Sequence, residues 1–282
     1  FVKALAIDEK SLGLDHPSTA TSLNNLGLLY YDQGLYNKAE PFYKRSLAIS
    51  EKSLGPDHPR TATSLNNLGL LYQDQGRYKQ AESLLKKTLK IDKQTFGTQH
   101  LSTSISTFNL SLLYSHQGLD ARAIPLAKSS LSTEFTLIQR EAPYLLISDR
   151  KSFLKSFGSG SEMAFSYVLS GKAGRNLALF SRLNKQGLLE EIERRQSQLA
   201  NLPGPHQVFP QELRLITQQL ASKDLQQEQR KKLTQRKEEL ERKLYRLLPE
   251  LKTRIVEIDQ VAKKEAKRAP VKNKAAVAVN KD

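Results

Sequence analysis

Apolar residues return every three or four positions through the first half of the chain, and that pattern itself returns every 42 residues. SLNNLGLLYYDQGLYNKAEPFYKRSLAI begins at Ser22. SLNNLGLLYQDQGRYKQAESLLKKTLKI begins at Ser64, and STFNLSLLYSHQGLDARAIPLAKSSL at Ser106. Leu5, Leu47, Leu89 and Leu131 hold one phase, as do Gly13, Gly55 and Gly97, and Tyr30, Tyr72 and Tyr114. Each unit predicts two helices. Leu23, Leu26, Leu29 and Tyr30 form the stripe of the first, which Gln33-Gly34 ends. Tyr36, Ala39, Tyr43, Leu47 and Ile49 line the second, and the small Ala39 lets the pair approach closely. Gly55-Pro56-Asp57-His58-Pro59 then closes one helix and opens the next, Pro suiting a first helical turn. Such a pair cannot bury its apolar face alone. Stacked neighbours bury it jointly, so the expected fold is all-α, a superhelical solenoid with a concave side.

After Leu131 the repeat fades. Segment 134–150, with Pro143, reads as a mixed connector, and KSFLKSF and EMAFSYVLS read as two short helices flanking Gly158-Ser159-Gly160. One helix is expected from Arg175 to Ala200, a turn at NLPGPH, and a further helix from QELRLITQQL onward. Leu233, Leu240, Leu244, Leu247, Leu251, Ile255 and Ile258 recur at coiled-coil-like spacings, with Pro249 expected to kink or split that helix. The simplest packing is an antiparallel hairpin of 175–200 against 211–248. The seam could equally serve self-association through 211–258. The expected division is therefore a solenoid over 1–133, a helical connector over 134–174, a hairpin or coiled-coil region over 175–260, and a basic disordered tail over 261–282.

Charge refines this picture. The net charge of +15 is spread as +4 over residues 1–133, +6 over 134–260 and +5 over the last 22 residues. A third of the excess thus sits in a short tail. Lys263, Lys264, Lys267, Arg268, Lys272 and Lys274 would be its nucleic-acid contacts, but no aromatic stacking platform accompanies them. The main expectation is a solvated surface rather than a nucleic-acid partner. No apolar run approaches the roughly 18 residues of a membrane helix, and the N-terminus lacks the pattern of a signal peptide. The absence of Cys excludes disulfides and a cysteine nucleophile within this chain and fits a cytoplasmic setting.

Leu26-Gly27-x-x-Tyr30, Tyr36, Ala39 and Tyr43 resemble the tetratricopeptide (TPR) pattern. The 42-residue period and the phrase LGPDHPRTATSLNNLGLLYQDQGRYKQAE are similar to its kinesin-light-chain-like subclass. Aligned to the repeat, Phe1 matches Tyr43, so part of an upstream helix is expected to be missing and the first repeat to be partial. The third repeat is degraded: Phe108 replaces Asn66, Ser111 replaces Gly69 and Asp120 replaces Tyr78. It is expected to cap the stack. SFLKSF, LFSRLNKQGLLEEIERR and RIVEIDQVAKK resemble, more loosely, the stretch before a caspase-like CHAT module in TPR–CHAT proteins. That likeness stops near Lys264, and a truncated gene product would explain both ends.

The TPR resemblance implies that the first helix of each pair lines a groove. Asn25, Asn67 and Asn109 align with a groove Asn that, in peptide-binding relatives, bonds the backbone of an extended ligand; the alternative is a purely structural amide. Asn24 and Asn66 sit one residue away and are expected to point to the adjacent helix. Thr21, Thr63, Tyr31, Gln73, Asp32, Asp74 and His116 would lie nearby, a polar and mildly acidic lining without the Lys/Arg cluster that clamps a carboxylate. His16, His58 and His100 recur once per repeat, too far apart to share a metal, and read as loop caps. No phosphate loop, G-x-G-x-x-G or HExxH is present, and GSGSE at 158–162 reads as a linker. The chain therefore reads as a non-enzymatic scaffold without cofactor or metal, binding a peptide or partner protein. The alternatives are the regulatory front end of a TPR–CHAT peptidase and a basic nucleic-acid-binding protein.

Overall fold

The computed structural model describes residues 2–144, 164, 171–185, 188–220, 222 and 225–249. The expected helical pairs are all present. They are α1 (Val2–Ser11), α2 (Pro17–Asp32), α3 (Tyr36–Leu54), α4 (Pro59–Asp74), α5 (Tyr78–Phe96), α6 (Leu101–His116) and α7 (Asp120–Glu141). Each helix packs on the next. α2, α4 and α6 also approach one another more closely than α3 and α5 do, which puts the first helices of the pairs on the inside of the curve.

Local chemistry sets the boundaries. His16, His58 and His100 are the N-caps of α2, α4 and α6. Each Nδ1 accepts the backbone N–H two residues on, at 3.1 Å from Ser18, Arg60 and Ser102. This is the capping role expected from the sequence, and it needs a neutral imidazole. At His100, burial and the nearby Arg230 guanidinium pull the ring down to about 4, which keeps the cap intact at neutral pH. At the tight turns inside the pairs, Gly34, Gly76 and Gly118 take φ of 71°, 72° and 69°, the left-handed region that favours glycine.

The core runs the length of the stack. Leu23, Leu65, Leu71, Leu85, Leu113 and Leu131 are fully or almost fully buried. Between pairs, Tyr72 donates to Glu40 at 3.1 Å and Tyr114 donates to Glu82 at 2.9 Å, so each pair staples the following one. One repeat position carries different polar groups along the stack. Ser50 and Asp92 are followed there by Glu134, which is buried between Ser104 and Ser130. Burial pushes the Glu134 carboxyl up to about 7, against the two hydroxyls that favour its charge. The group is protonated in the fold and ionised in the unfolded chain between pH 4.5 and 7, so stability falls as pH rises through that window. Glu134→Gln is expected to raise stability at pH 8 by about 1–2 kcal/mol, within the roughly 1.4 kcal/mol per pH unit of such a shift. At about pH 4 it should change little. Urea titrations at the two pH values check this.

Beyond the repeats the structure departs from the sequence reading in several places. α7 continues to Glu141 where a mixed connector is expected, because Phe135, Leu137 and Ile138 keep its inner face apolar. Helices follow at α8 (Gly171–Lys185) and α9 (Leu188–Ala200), in place of one helix over 175–200. The antiparallel hairpin is formed by α10 (Val208–Leu220) and α11 (Gln227–Leu247), not by 175–200 against 211–248. Arg230 bonds Leu220 O and Arg236 pairs with Glu212, two contacts in opposite order along the helices. The reason is that the chain reverses between Leu220 and Gln227, which splits 211–248 so that Leu213 and Ile216 face Leu240 and Leu244 directly. Leu199 and Leu202, at the end of α9, complete this small separate core. Leu247 lies 41 % exposed, so the expected seam is apolar only over its middle, and the helix stops before Pro249. Nor does the third repeat end the core. Leu177 and Phe180 of α8 join Phe135 and the repeat residues in one cluster. Leu251, Ile255, Ile258, the 158–162 linker, the two short helices around it except for the helical, buried Ala164, and the basic tail lie outside the described residues. Among the described residues no helix is long and apolar enough to cross a membrane.

Candidate partner-binding face

The inner face is built from one side of α2, α4 and α6, and its middle is a row of amides. Asn67 donates to Asn24 across the α2–α4 gap at 3.2 Å. Asn66 donates to Asn67 at 3.3 Å, and Asn109 donates to Asn66 across the α4–α6 gap at 2.8 Å. The row therefore ties three first helices together. It spends part of each amide's capacity, because an Asn side chain offers two donors and one acceptor oxygen. Asn25 is different. It is exposed and makes no side-chain hydrogen bond among the described residues. Asn67 and Asn66 are half-buried, and Asn109 is buried.

The other expected lining residues separate into two groups. At the C-terminal ends of the helices, the Tyr31 hydroxyl donates to the Asp74 carboxylate across the α2–α4 gap at 2.5 Å. Burial, and then the bond to Asp74, push the Tyr31 hydroxyl well above the ordinary phenol range, so it stays a donor. Asp32, Asp74 and His116 are exposed. Gln73 is buried, with its Oε1 unpartnered among the described residues, and so lies beneath the face rather than on it. At the N-terminal ends, Thr21 and Thr63 turn their hydroxyls back to the carbonyls of Pro17 and Pro59, at 3.2 and 3.3 Å.

The sequence reading missed a notch between α4 and α6. Its volume is about 120 Å³. Thr63 and Asn66 of α4, Asp92 and Phe96 of α5, and Ser102, Ile105 and Ser106 of α6 are among the residues that line it. The signal was present: Asp92 stands next to the core residue Ile91 in a phase where Ser50 also is buried. Also missed was the junction between solenoid and hairpin. Phe96 stacks on His100, with ring centres 4.5 Å apart, and the Arg230 guanidinium of α11 sits 4.6 Å from the Phe96 centroid. Lys237 pairs with Glu141 at 2.8 Å and Arg140 with Glu241 at 3.5 Å, all four side chains largely buried. Burial alone would raise the Glu141 carboxyl, but the charges of Lys237 and Arg140 outweigh it and hold the group below the ordinary carboxylate range. Among the described residues no group of His, Asp or Glu is placed to hold a metal ion.

Comparison with known proteins matches residues 1–52, 23–94 and 71–133 to the family model "Tetratricopeptide repeat". Residues 1–133 thus carry TPR repeats, a module that generally serves as a protein-interaction scaffold. Among curated proteins none matches. Solved structures similar to this chain include BtubC (BKLC) from P. vanneervenii, at 17 % identity and TM-score 0.44, covering 67 % of each chain. A "putative kinesin light chain nearly identical TPR-like repeats" protein of Podosopora anserina is 25 % identical with TM-score 0.45. That match covers 71 % of this chain and 86 % of the other. A single-residue variant of the same Podosopora anserina protein is 22 % identical with TM-score 0.45, covering 71 % and 85 %. The family match ends at residue 133, so the likeness of the following segment to the stretch before a CHAT module rests on the sequence phrases alone.

Proposed function

We propose that this chain is a non-enzymatic scaffold whose TPR repeats hold an extended peptide of a partner protein against the inner face of α2, α4 and α6. The observation that carries the reading is the amide row. An extended peptide presents alternating N–H and C=O groups, and an uncommitted amide such as Asn25 matches both. Asn67 contributes what remains of its capacity, one N–H and one lone pair, after its bonds to Asn24 and Asn66. The cross-helix bonds hold the Asn67 amide in place before a ligand arrives, which lowers the ordering cost of its part in binding.

The double role of Asn67 shapes the test. Asn25→Ala should weaken binding of a groove peptide by about 1–2 kcal/mol, the range of a lost hydrogen bond, and leave the melting temperature unchanged. Asn67→Ala should weaken it by about 1–3 kcal/mol and also lower stability slightly, because Asn24 and Asn66 lose a partner. Fluorescence polarisation and thermal circular dichroism on the same samples separate the two effects. Unchanged affinity in the Asn25→Ala, Asn67→Ala double variant sinks the reading.

A further inference from the structure

We infer that Leu28, Leu70 and Leu112 form the specificity track of this groove, and that its ligand is a peptide in the polyproline-II conformation. That peptide carries an apolar residue at every third position and a lysine or arginine beside the one on Leu28. This rests on the groove reading above and names the chemistry of its ligand.

The three leucines lie 42 residues apart, one on each inner helix, and each follows the groove asparagine of its helix by three residues. Residues three apart share a helix face, so a leucine row runs beside the amide row. Leu28 is 43 % exposed, and Leu70 and Leu112 are half-buried. The next position along each helix makes the contrast. Leu29 is also exposed, but its equivalents Leu71 and Leu113 are fully buried in the core, so stacking covers that row. The row of Leu28 is fully covered in no repeat. At α6 the amide row gives out, because Asn109 is buried and bonded to Asn66. Ile105 stands exposed one turn before Asn109 and Leu112 one turn after it, so the third anchor point is apolar on both sides.

Spacing decides the conformation. α2 and α4, and α4 and α6, bring Cα atoms within 8 Å of each other, so their axes stand at the usual packing distance of roughly 8–10 Å. A polyproline-II chain has three residues per turn and a rise of about 3.1 Å, or roughly 9 Å per turn. Residues i, i+3 and i+6 then share one face and land one per helix. A β-strand cannot do this, because side chains three residues apart point to opposite sides and those two apart span only about 7 Å. Polyproline II also leaves its backbone N–H and C=O groups unpaired, open to Asn25 and Asn67. Charge complementarity fixes the flanking residue. The only carboxylates on α2, α4 and α6 are Asp32 and Asp74, at the C-terminal ends where the helix dipole is also negative. Asp74 takes the Tyr31 hydroxyl. Asp32 is exposed, one turn from Leu28, and forms no ion pair among the described residues. Arg60, the one lysine or arginine of these helices, lies in the first turn of α4, at the opposite end. A basic residue next to the apolar one on Leu28 therefore meets Asp32 and no competing cation of the inner helices.

The test pans a random decapeptide phage library on the full chain and titrates the selected peptides, and their variants, by fluorescence polarisation. Binders weakened by Asn25→Ala and Asn67→Ala are expected to share apolar residues at i, i+3 and i+6, with a lysine or arginine at one end of that pattern. Moving the middle apolar residue by one position, at constant composition, should weaken binding about tenfold, the scale of one lost apolar anchor. Leu28→Ser should cost about as much while the melting temperature holds, since that side chain belongs to no core cluster. Replacing the basic residue by Met should weaken binding to the wild type about threefold, the range of an exposed ion pair, and leave binding to Asp32→Asn unchanged. Groove binders that lack the three-residue pattern, or that bind Leu28→Ser as tightly as the wild type, overturn the track and leave the groove reading standing. A basic residue whose loss costs as much on Asp32→Asn as on the wild type overturns the flanking cation. A library that yields no binder sensitive to Asn25→Ala and Asn67→Ala overturns the groove reading, and the track with it.

Discussion

Lys237→Met is expected to lower the stability of the chain by about 3 kcal/mol, the cost of leaving a buried charge without its partner. Glu141 is largely inaccessible to water and depends on two cations, Lys237 at 2.8 Å and Arg140 at 2.8 Å. Arg140 already serves Glu241, so it cannot fully replace the lost ammonium. Because the α10–α11 hairpin has a core of its own, separate from the solenoid cluster, the loss should fall on docking rather than on either core. Urea unfolding followed by circular dichroism should show an earlier first transition with an unchanged total helical signal. The double variant Glu141→Leu, Lys237→Met should recover most of the loss, since an apolar pair of similar volume often replaces a buried ion pair at no net cost. A single variant as stable as the wild type would mean that water reaches Glu141.

Gly27→Ala is expected to destabilise by about 2 kcal/mol, whereas Gly69→Ala should change stability by less than about 0.5 kcal/mol. A Cβ at Gly27 meets the ring of Tyr43 at 2.7 Å, and that ring is 1 % exposed with nowhere to move. Overpacking of this kind costs up to about 3 kcal/mol, against about 1 kcal/mol gained from replacing a helical glycine. At Gly69 the obstacles are Cδ2 and Cγ of Leu85 at 2.9 and 3.0 Å; Leu85 is as buried as Tyr43, but a branched aliphatic tip needs a smaller shift to clear a methyl than a ring does. The third repeat has already made the exchange. Ser111 stands there, opposite the small Ala127, and its hydroxyl donates to Ala123 O at 2.9 Å. Tyr43→Leu should therefore suppress the cost of Gly27→Ala, and chemical denaturation of the two single variants and the double gives the coupling energy directly.

This pairing shows why the solenoid was legible from sequence. Residues 42 apart must solve the same packing problem, so Gly27/Tyr43, Gly69/Leu85 and Ser111/Ala127 each record one solution, and the repeat period aligns them. The histidine caps were legible for the same reason. The amide row was half legible. Periodicity put Asn25 and Asn67 on one face, but which neighbour each amide bonds depends on the spacing between helices, and no single repeat contains that spacing. The hairpin was misread because nothing repeats there. Leu-rich stripes over 175–200 and 211–248 fit several pairings, and the chain reversal after Leu220 decides among them without a proline or glycine to mark it. The burial of Asp92 and Lys237 was not legible, since burial of a charged side chain is set by an element distant in sequence. Lys237 meets Glu141 across 96 residues.

Chemical-shift mapping is the most direct test of the central claim. A decapeptide selected on the chain would be titrated into isotope-labelled protein. The account predicts that the side-chain amide signals of Asn25 and Asn67, and the backbone signals of α2, α4 and α6 around them, move together with one dissociation constant, while those of α10 and α11 stay in place. Shifts confined to α8–α11, with the asparagine amides unmoved, would contradict it.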